Sequence, residues 1–193
     1  MIDTNIILAK LKILASVDSS LRDNVHGAYE HKYRMDATVP LAEIELWERT
    51  LHVTLPVGYR NFLLHVGNGP CGPGFGLQRF PQANPSAGEP CQIAGTVVST
   101  SFGAQEEYNK AVCGDKGFLR LSDYGCGLEA ILIITGDFSG QIWIDSAGSG
   151  DLSPFPPVLH DAGRLETDDR VRYSFLEWYD DWLDCTIDGR AIP

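Results

Sequence analysis

The sequence predicts an α+β domain, and three observations carry that expectation. Apolar residues recur at helical spacing through the first seventy residues. The pattern then changes to short extended runs joined by a glycine-bounded turn. Finally, a capping box opens a helix with a broad aromatic face near the C-terminus. Helices kept apart from hairpin-linked strands indicate α+β rather than alternating βαβ units.

Thr4 is placed to cap a first helix in which Ile7, Leu11 and Leu14 fall at i, i+4, i+7. Asp18 is placed to cap a second, with Leu21, Val25 and Ala28 at the same spacing. Tyr29 to Thr38 is polar and mixed, a connector. Thr38 and Pro40 open a third helix, with Leu41, Ile44, Trp47 and Leu51 inward and Glu43, Glu45 and Glu48 toward solvent. Pro56 opens a fourth, where Tyr59, Phe62, Leu63 and Val66 form an amphipathic stripe. Gly67-Asn68-Gly69-Pro70 ends it, because Gly and Asn accept the left-handed conformation of a C-cap and Pro cannot continue a helix.

Gly74 to Phe80 and Ile93 to Val98 are short-strand candidates, Pro81 to Pro90 is a proline-rich loop, and Ala104 to Val112 a helix. Phe118 to Leu121 is the first clear strand. Leu128 to Thr135 and Gln141 to Asp145 flank Gly136-Asp137-Phe138-Ser139-Gly140, which predicts an antiparallel hairpin. Ser146 to Arg172 reads as irregular because of its glycines and prolines. Ser174 and Glu177 form the capping box, and Phe175, Trp178, Tyr179, Trp182 and Leu183 then make an aromatic face that predicts docking on the sheet. Residues 1–37 are an N-terminal helical extension and 38–193 the α+β domain.

The chain has 193 residues, 44% apolar and 21% charged, the balance of a soluble globular protein that buries a core without staples. Its longest apolar run, Ala130 to Ile134, is far short of the ~18–20 residues of a membrane span. The N-terminus lacks the pattern of a signal peptide. Five cysteines, at 71, 91, 113, 126 and 185, include no C-x-x-C pair, which argues against a disulfide framework or a zinc knuckle. The expected setting is a reducing cytoplasm. The net charge of −11 opposes binding to nucleic acid or anionic lipid. Acidity can serve solubility alone, or it can steer a basic protein partner.

No motif reads as catalytic. Gly67-Asn68-Gly69-Pro70-Cys71-Gly72 matches G-x-G-x-x-G, but it follows a helix, whereas a dinucleotide site needs a strand before it and a helix after. Asp145 to Gly150 is no calcium loop: Ala147 has no side-chain oxygen and Pro156 stands where a bidentate Glu is required. Cys126, between two glycines, needs a neighbouring base or a helix N-terminus to become a nucleophile, and every histidine is distant in sequence. No cofactor and no metal is expected.

Taken in order, Trp47-Glu48, Leu55-Pro56-x-x-Tyr59-x-x-Phe62-Leu63, Asn68-Gly69, Phe118-Leu119, Gly125-Cys126-Gly127, Gly136, Gly140, Ile142-Trp143 and Ser174-Phe175-x-x-Trp178 resemble the SUKH superfamily in its Smi/Knr-like branch. The resemblance spans about Pro40 to Leu183 and leaves the first 35 or so residues uncovered. It implies a curved, mainly antiparallel sheet flanked by helices, and a binding role. Bacterial members are typically immunity proteins that neutralise toxins, fungal relatives regulate cell-wall assembly, and no catalytic residues are shared. The expected function is therefore a non-catalytic immunity protein that occludes a basic toxin. A cytoplasmic regulatory or scaffold protein is the alternative, and a hydrolase using Cys126 a distant third. The partner is expected near the hairpin edge, at Asp123, Tyr124, Asp145 and Asp151, with Tyr124 as an amphipathic anchor beside the carboxylates.

Overall fold

A computed structural model describes residues 3–18, 27–80, 117–146, 151–155, 157–159, 165–167 and 172–190. The predicted strand at 93–98, the loop at 81–90 and the helix at 104–112 lie outside these residues. The described elements confirm an α+β fold with helices at the N-terminus.

Helix α1 (Thr4–Val17) is capped one residue earlier than expected: the Asp3 side chain accepts the Asn5 N–H, and Thr4 is the first helical residue. The second helix predicted after Asp18 falls mostly on residues 19–26, outside the described residues. Asp18 itself closes α1, donating its backbone N–H to the Leu14 carbonyl, and its buried carboxylate accepts the Tyr33 hydroxyl at 2.5 Å. Ala28 begins a single-turn helix α2 (Ala28–His31) flanked by left-handed Gly27 and Lys32.

In α3 (Leu41–Leu51), Ile44 and Trp47 are buried while Leu41 stays half exposed. Glu48 is not a solvent residue. Its carboxylate accepts the Leu55 N–H at 2.8 Å and lies 3.5 Å from the Arg60 guanidinium, tying α3 to the start of α4 (Val57–His65). Tyr59, Phe62, Leu63 and Val66 are all buried, as the α4 stripe predicts.

Strands β1 (Phe118–Gly125), β2 (Leu128–Ile133), β3 (Ile142–Ser146) and β4 (Asp151–Pro154) form one open antiparallel sheet in sequence order. The β2–β3 hairpin closes through the predicted glycine-bounded turn, with Gly136 and Gly140 in the left-handed region. Ser146 to Arg172 is less irregular than expected. It contains β4 and a second, two-stranded pair, β5 (Pro157–Leu159) and β6 (Leu165–Thr167). Pro154 sits in the edge strand β4, where a missing N–H is tolerated, so prolines disguised the strand. Gly74 to Phe80 corrects in the opposite sense: positive φ at Gly74 and Gly76 breaks an extended run, leaving one isolated bridge between Leu77 and Ser122.

Helix α5 (Phe175–Asp188) lies against α1 and α4, and its aromatic face joins the core on one side of the sheet. There Leu119, Leu121, Ala130, Leu132, Ile142 and Ile144 share a cluster with Phe62, Phe175, Trp178, Tyr179 and Trp182. Phe62 packs edge-on to Tyr179 at 4.8 Å and to Phe175 at 5.0 Å between ring centroids. Ile7 and Leu14 of α1 enter the same core, and Lys10 spans Asp180 and Asp184 of α5 at 2.6 and 2.7 Å. Trp143 is buried on the opposite face of the sheet, with Phe118, Ile131 and Ile133. Register explains the split, because strand side chains alternate between faces.

The capping box at Ser174 forms as predicted. The Ser174 hydroxyl oxygen accepts the Glu177 N–H, and the Glu177 carboxylate accepts the Ser174 N–H at 2.9 Å. The Ser174 hydroxyl also donates to the Glu177 carboxylate at 2.7 Å, and this bond, with the one from the Ser174 N–H, holds the Glu177 carboxyl below the usual carboxylate range. Ser174→Ala is expected to destabilise the fold by about 1 kcal/mol, measured by urea unfolding, with β-sheet contacts intact.

Candidate interaction surface

The β1–β2 turn is Gly125-Cys126-Gly127, with φ of 82°, 53° and 78°. Three consecutive left-handed residues make a tight tip, and the exposed Cys126 is the only one of them with a side chain. Two register shifts in β1, at Arg120/Ser122 and at Asp123/Gly125, bend the strand before it reaches the tip. The exposed Asp123 stiffens the turn by accepting the Gly125 N–H at 2.6 Å.

The glycine-rich segment Pro70 to Leu77 runs along β1. Phe75 donates its N–H to the Asp123 carbonyl at 2.8 Å, Gln78 donates to the Leu121 carbonyl at 2.7 Å, and the buried Ser122 hydroxyl donates to the Pro73 carbonyl at 2.6 Å. Gly74 permits this approach. A Cβ there would meet the Asp123 carbonyl oxygen at 2.4 Å, and its φ is +59°. The Phe75 ring, 45% exposed, then lies over Gly125, whose added Cβ would sit 3.4 Å from it. Gly27 packs on the Gly74–Phe75 backbone, which brings the turn carrying Tyr29 to the same region. Tyr29 is 73% exposed, with the Lys32 ammonium 5.7 Å from its ring centroid.

The four sequence-predicted partner residues are not equivalent. Asp123 stands exposed at the tip. Tyr124 is turned inward, not outward as an anchor: its hydroxyl accepts the Trp178 indole N–H at 3.3 Å, and burial raises its phenol above the ordinary value. Asp145 is 7% exposed, in contrast to the expected free carboxylate, and faces the Arg120 guanidinium at 3.9 Å. Arg120 also bonds Glu129, which pairs with both Asp123 and Asp145 across the sheet. Strand alternation placed Asp145 on the same face as Trp143, where a lone carboxylate needs a cation. The backbone of Asp151 pairs with Ser146 in β4; its side chain lies outside the described residues.

Phe75 was missed by sequence reading because it belongs to no periodic stripe. An aromatic residue between Gly74 and Gly76 was the available signal, since glycines on both sides mark a backbone packed closely against something else.

The other chemical candidates are occupied or inert. His31 is buried, its Nδ1 accepts the Tyr33 N–H at 3.0 Å, and burial lowers its imidazole to about 4. Burial also pushes the Cys71 thiol up to about 12. Among the described residues, no group of three or more His, Cys, Asp or Glu could hold a metal ion, and no helix is long and apolar enough to cross a membrane. Comparison with protein-family models, with curated proteins and with solved structures returns no match.

Proposed function

We propose that this chain is a non-catalytic, cytoplasmic protein-binding domain that neutralises a basic toxin by covering it, in the manner of the SUKH immunity proteins its motif order resembles. The observation that carries the proposal is the β1–β2 tip. It is a tight turn tied by backbone bonds to the glycine segment, and Asp123, Cys126 and Phe75 in these two segments are exposed. A rigid scaffold that offers a few exposed aromatic and charged groups is the usual form of a binding surface, because little entropy is lost on docking. The net charge of −11 adds long-range attraction for a cationic partner. A toxin that acts on nucleic acid must itself attract phosphate, so an acidic cover can take the place of its substrate.

Co-production in bacteria with a toxin domain encoded next to the gene for this chain, once one is identified there, tests the proposal. Growth is expected to be restored, and the two proteins are expected to co-purify. Their association rate is expected to fall as ionic strength rises, because the Debye length shrinks from ~10 Å at 0.1 M to ~3 Å at 1 M. Cys126→Ser is expected to protect as well as the native chain. Loss of protection on that change, with the complex intact, would favour a cysteine-dependent activity. Growth arrest despite a folded, abundant chain would leave the regulatory or scaffold role as the better reading.

A further inference from the structure

His31 stands where three segments meet. Its ring lies edge-on to Trp182 of α5 at 6.2 Å between centroids and against Tyr33 at 5.3 Å. It also faces the glycine segment, where a Cβ on Gly76 would sit 3.3 Å from the His31 Cδ2. The other end of α2 touches that segment too, through Gly27 on the Gly74–Phe75 backbone. The imidazole acts as a base in this contact. Its Nδ1 accepts the Tyr33 N–H at 3.0 Å, which places the single ring proton on Nε2. Nε2 finds no acceptor among the described residues, and neither does the buried indole N–H of Trp182. A second proton on Nδ1 would therefore set one donor against another and bury a cation without an acceptor. The turn beside it is poised to move. Lys32 and Tyr33 stand in succession at φ of 50° and 54°, a conformation that costs such residues free energy and persists only where surrounding contacts enforce it.

We infer that α2 and the turn after it form an acid-released latch on the glycine segment, with protonation of His31 freeing the turn from Gly74–Gly76 while the sheet and α5 stay folded. The inference is independent of the protein-binding role proposed above. In the latched state Nδ1 takes the Tyr33 N–H. In the released state the ring reaches water and holds its second proton. Release removes the backing of the segment whose Phe75 N–H bonds the Asp123 carbonyl, so the β1–β2 tip loosens with it. The other titratable groups of the packed elements are committed elsewhere. Asp18 accepts the Tyr33 hydroxyl, Lys32 lies over the Tyr29 ring, and Tyr179 donates its hydroxyl to the Cys71 carbonyl. Asp180 and Asp184 hold Lys10, Asp181 acts on Tyr173 and Cys185, and Glu30 is exposed. None of these side chains bonds the imidazole, and burial alone opposes its charge.

The test is amide hydrogen exchange on the native chain from pH 7 to pH 4, each rate divided by the intrinsic rate of that amide at that pH. Opening at the Tyr33 and Lys32 amides is expected to increase about 100-fold across this range, beginning below about pH 6.5, because the released ring ionises there and the latched ring only near 4. The Gly76 and Leu77 amides are expected to open in step. Small additions of urea are expected to leave these openings unchanged, since little surface is exposed, while accelerating the β2–β3 amides that require global unfolding. His31→Gln, which does not titrate, is expected to flatten the pH dependence. If that variant fails to fold, the native chain still decides. An increase that begins only below about pH 5 would belong to carboxylates and would overturn the inference. So would opening at Tyr33 as sensitive to urea as the β2–β3 amides, or acid-dependent opening at Tyr33 with none at Gly76 and Leu77.

Discussion

Trp178→Ala is expected to lower the free energy of unfolding by about 3–5 kcal/mol, the range for removing a buried large aromatic side chain. Trp178 is 1% exposed and packs against Phe175 at 5.9 Å between centroids. Its indole N–H donates to the Tyr124 hydroxyl, so truncation opens a cavity and also leaves that buried phenol without its donor. Domains of this kind hold only about 5–15 kcal/mol in total, so the loss is a large fraction of the fold's stability. The position is also the mechanical link between α5 and the strand that ends in the β1–β2 tip. Urea unfolding checks the magnitude. Trp178→Phe, which keeps most of the volume, is expected to cost less, and a loss below about 1 kcal/mol on Trp178→Ala would show that the site is not packed as described.

Acidification is expected to destabilise the fold through His31. Its imidazole ionises near 6.5 in the unfolded chain but near 4 when folded, because burial disfavours the cation. Between these values the unfolded state binds a proton that the native state does not. Stability therefore rises with pH across this window and is lost as pH falls from about 6.5 toward 4. The full effect is about 3 kcal/mol at most, from the difference between the two values. The ring lies against Tyr33 and edge-on to Trp182, at 5.3 and 6.2 Å, and its Nε2 has no hydrogen-bond partner. No carboxylate contributes to the shift; the buried Asp18 of this region takes the Tyr33 hydroxyl instead. Urea midpoints measured from pH 7 to pH 4 would show the slope. His31→Gln is expected to remove this part of it, and a slope equal in both proteins would refute the assignment.

Much of the fold was legible because burial and period agree. The α4 stripe, the capping box at Ser174 and the glycine-bounded β2–β3 hairpin each combine a local signal with a matching apolar face. Boundaries failed where one residue type serves two purposes. Asp18 reads as an N-cap, yet the structure uses it to end α1 and to hold Tyr33. Pro154 reads as a loop residue, yet an edge strand accepts it.

The candidate site was only partly legible, for a physical reason. Acidic residues announce themselves by composition, but exposure depends on which sheet face and which cation each one meets. Asp123 and Asp145 look alike in sequence. One lies in a strand end beside a turn, and the other sits in a central register opposite Glu129, within reach of Arg120. Tyr124 has the chemistry of an anchor, but the indole of Trp178, 54 positions away, claims its hydroxyl. Phe75 joins the tip only because Gly74 lets two backbones touch. Such long-range contacts leave no periodic trace.

The most direct measurement is amide hydrogen exchange on this chain, free and bound to whichever toxin domain it protects against in the co-production test. Slowed exchange on binding is expected at Gly74 to Gly76 and at Asp123 to Gly127, with Asp123→Lys abolishing both the protection and the complex. Protection confined to another surface, or a complex that Asp123→Lys leaves intact, would contradict the tip as the site where this chain meets its partner.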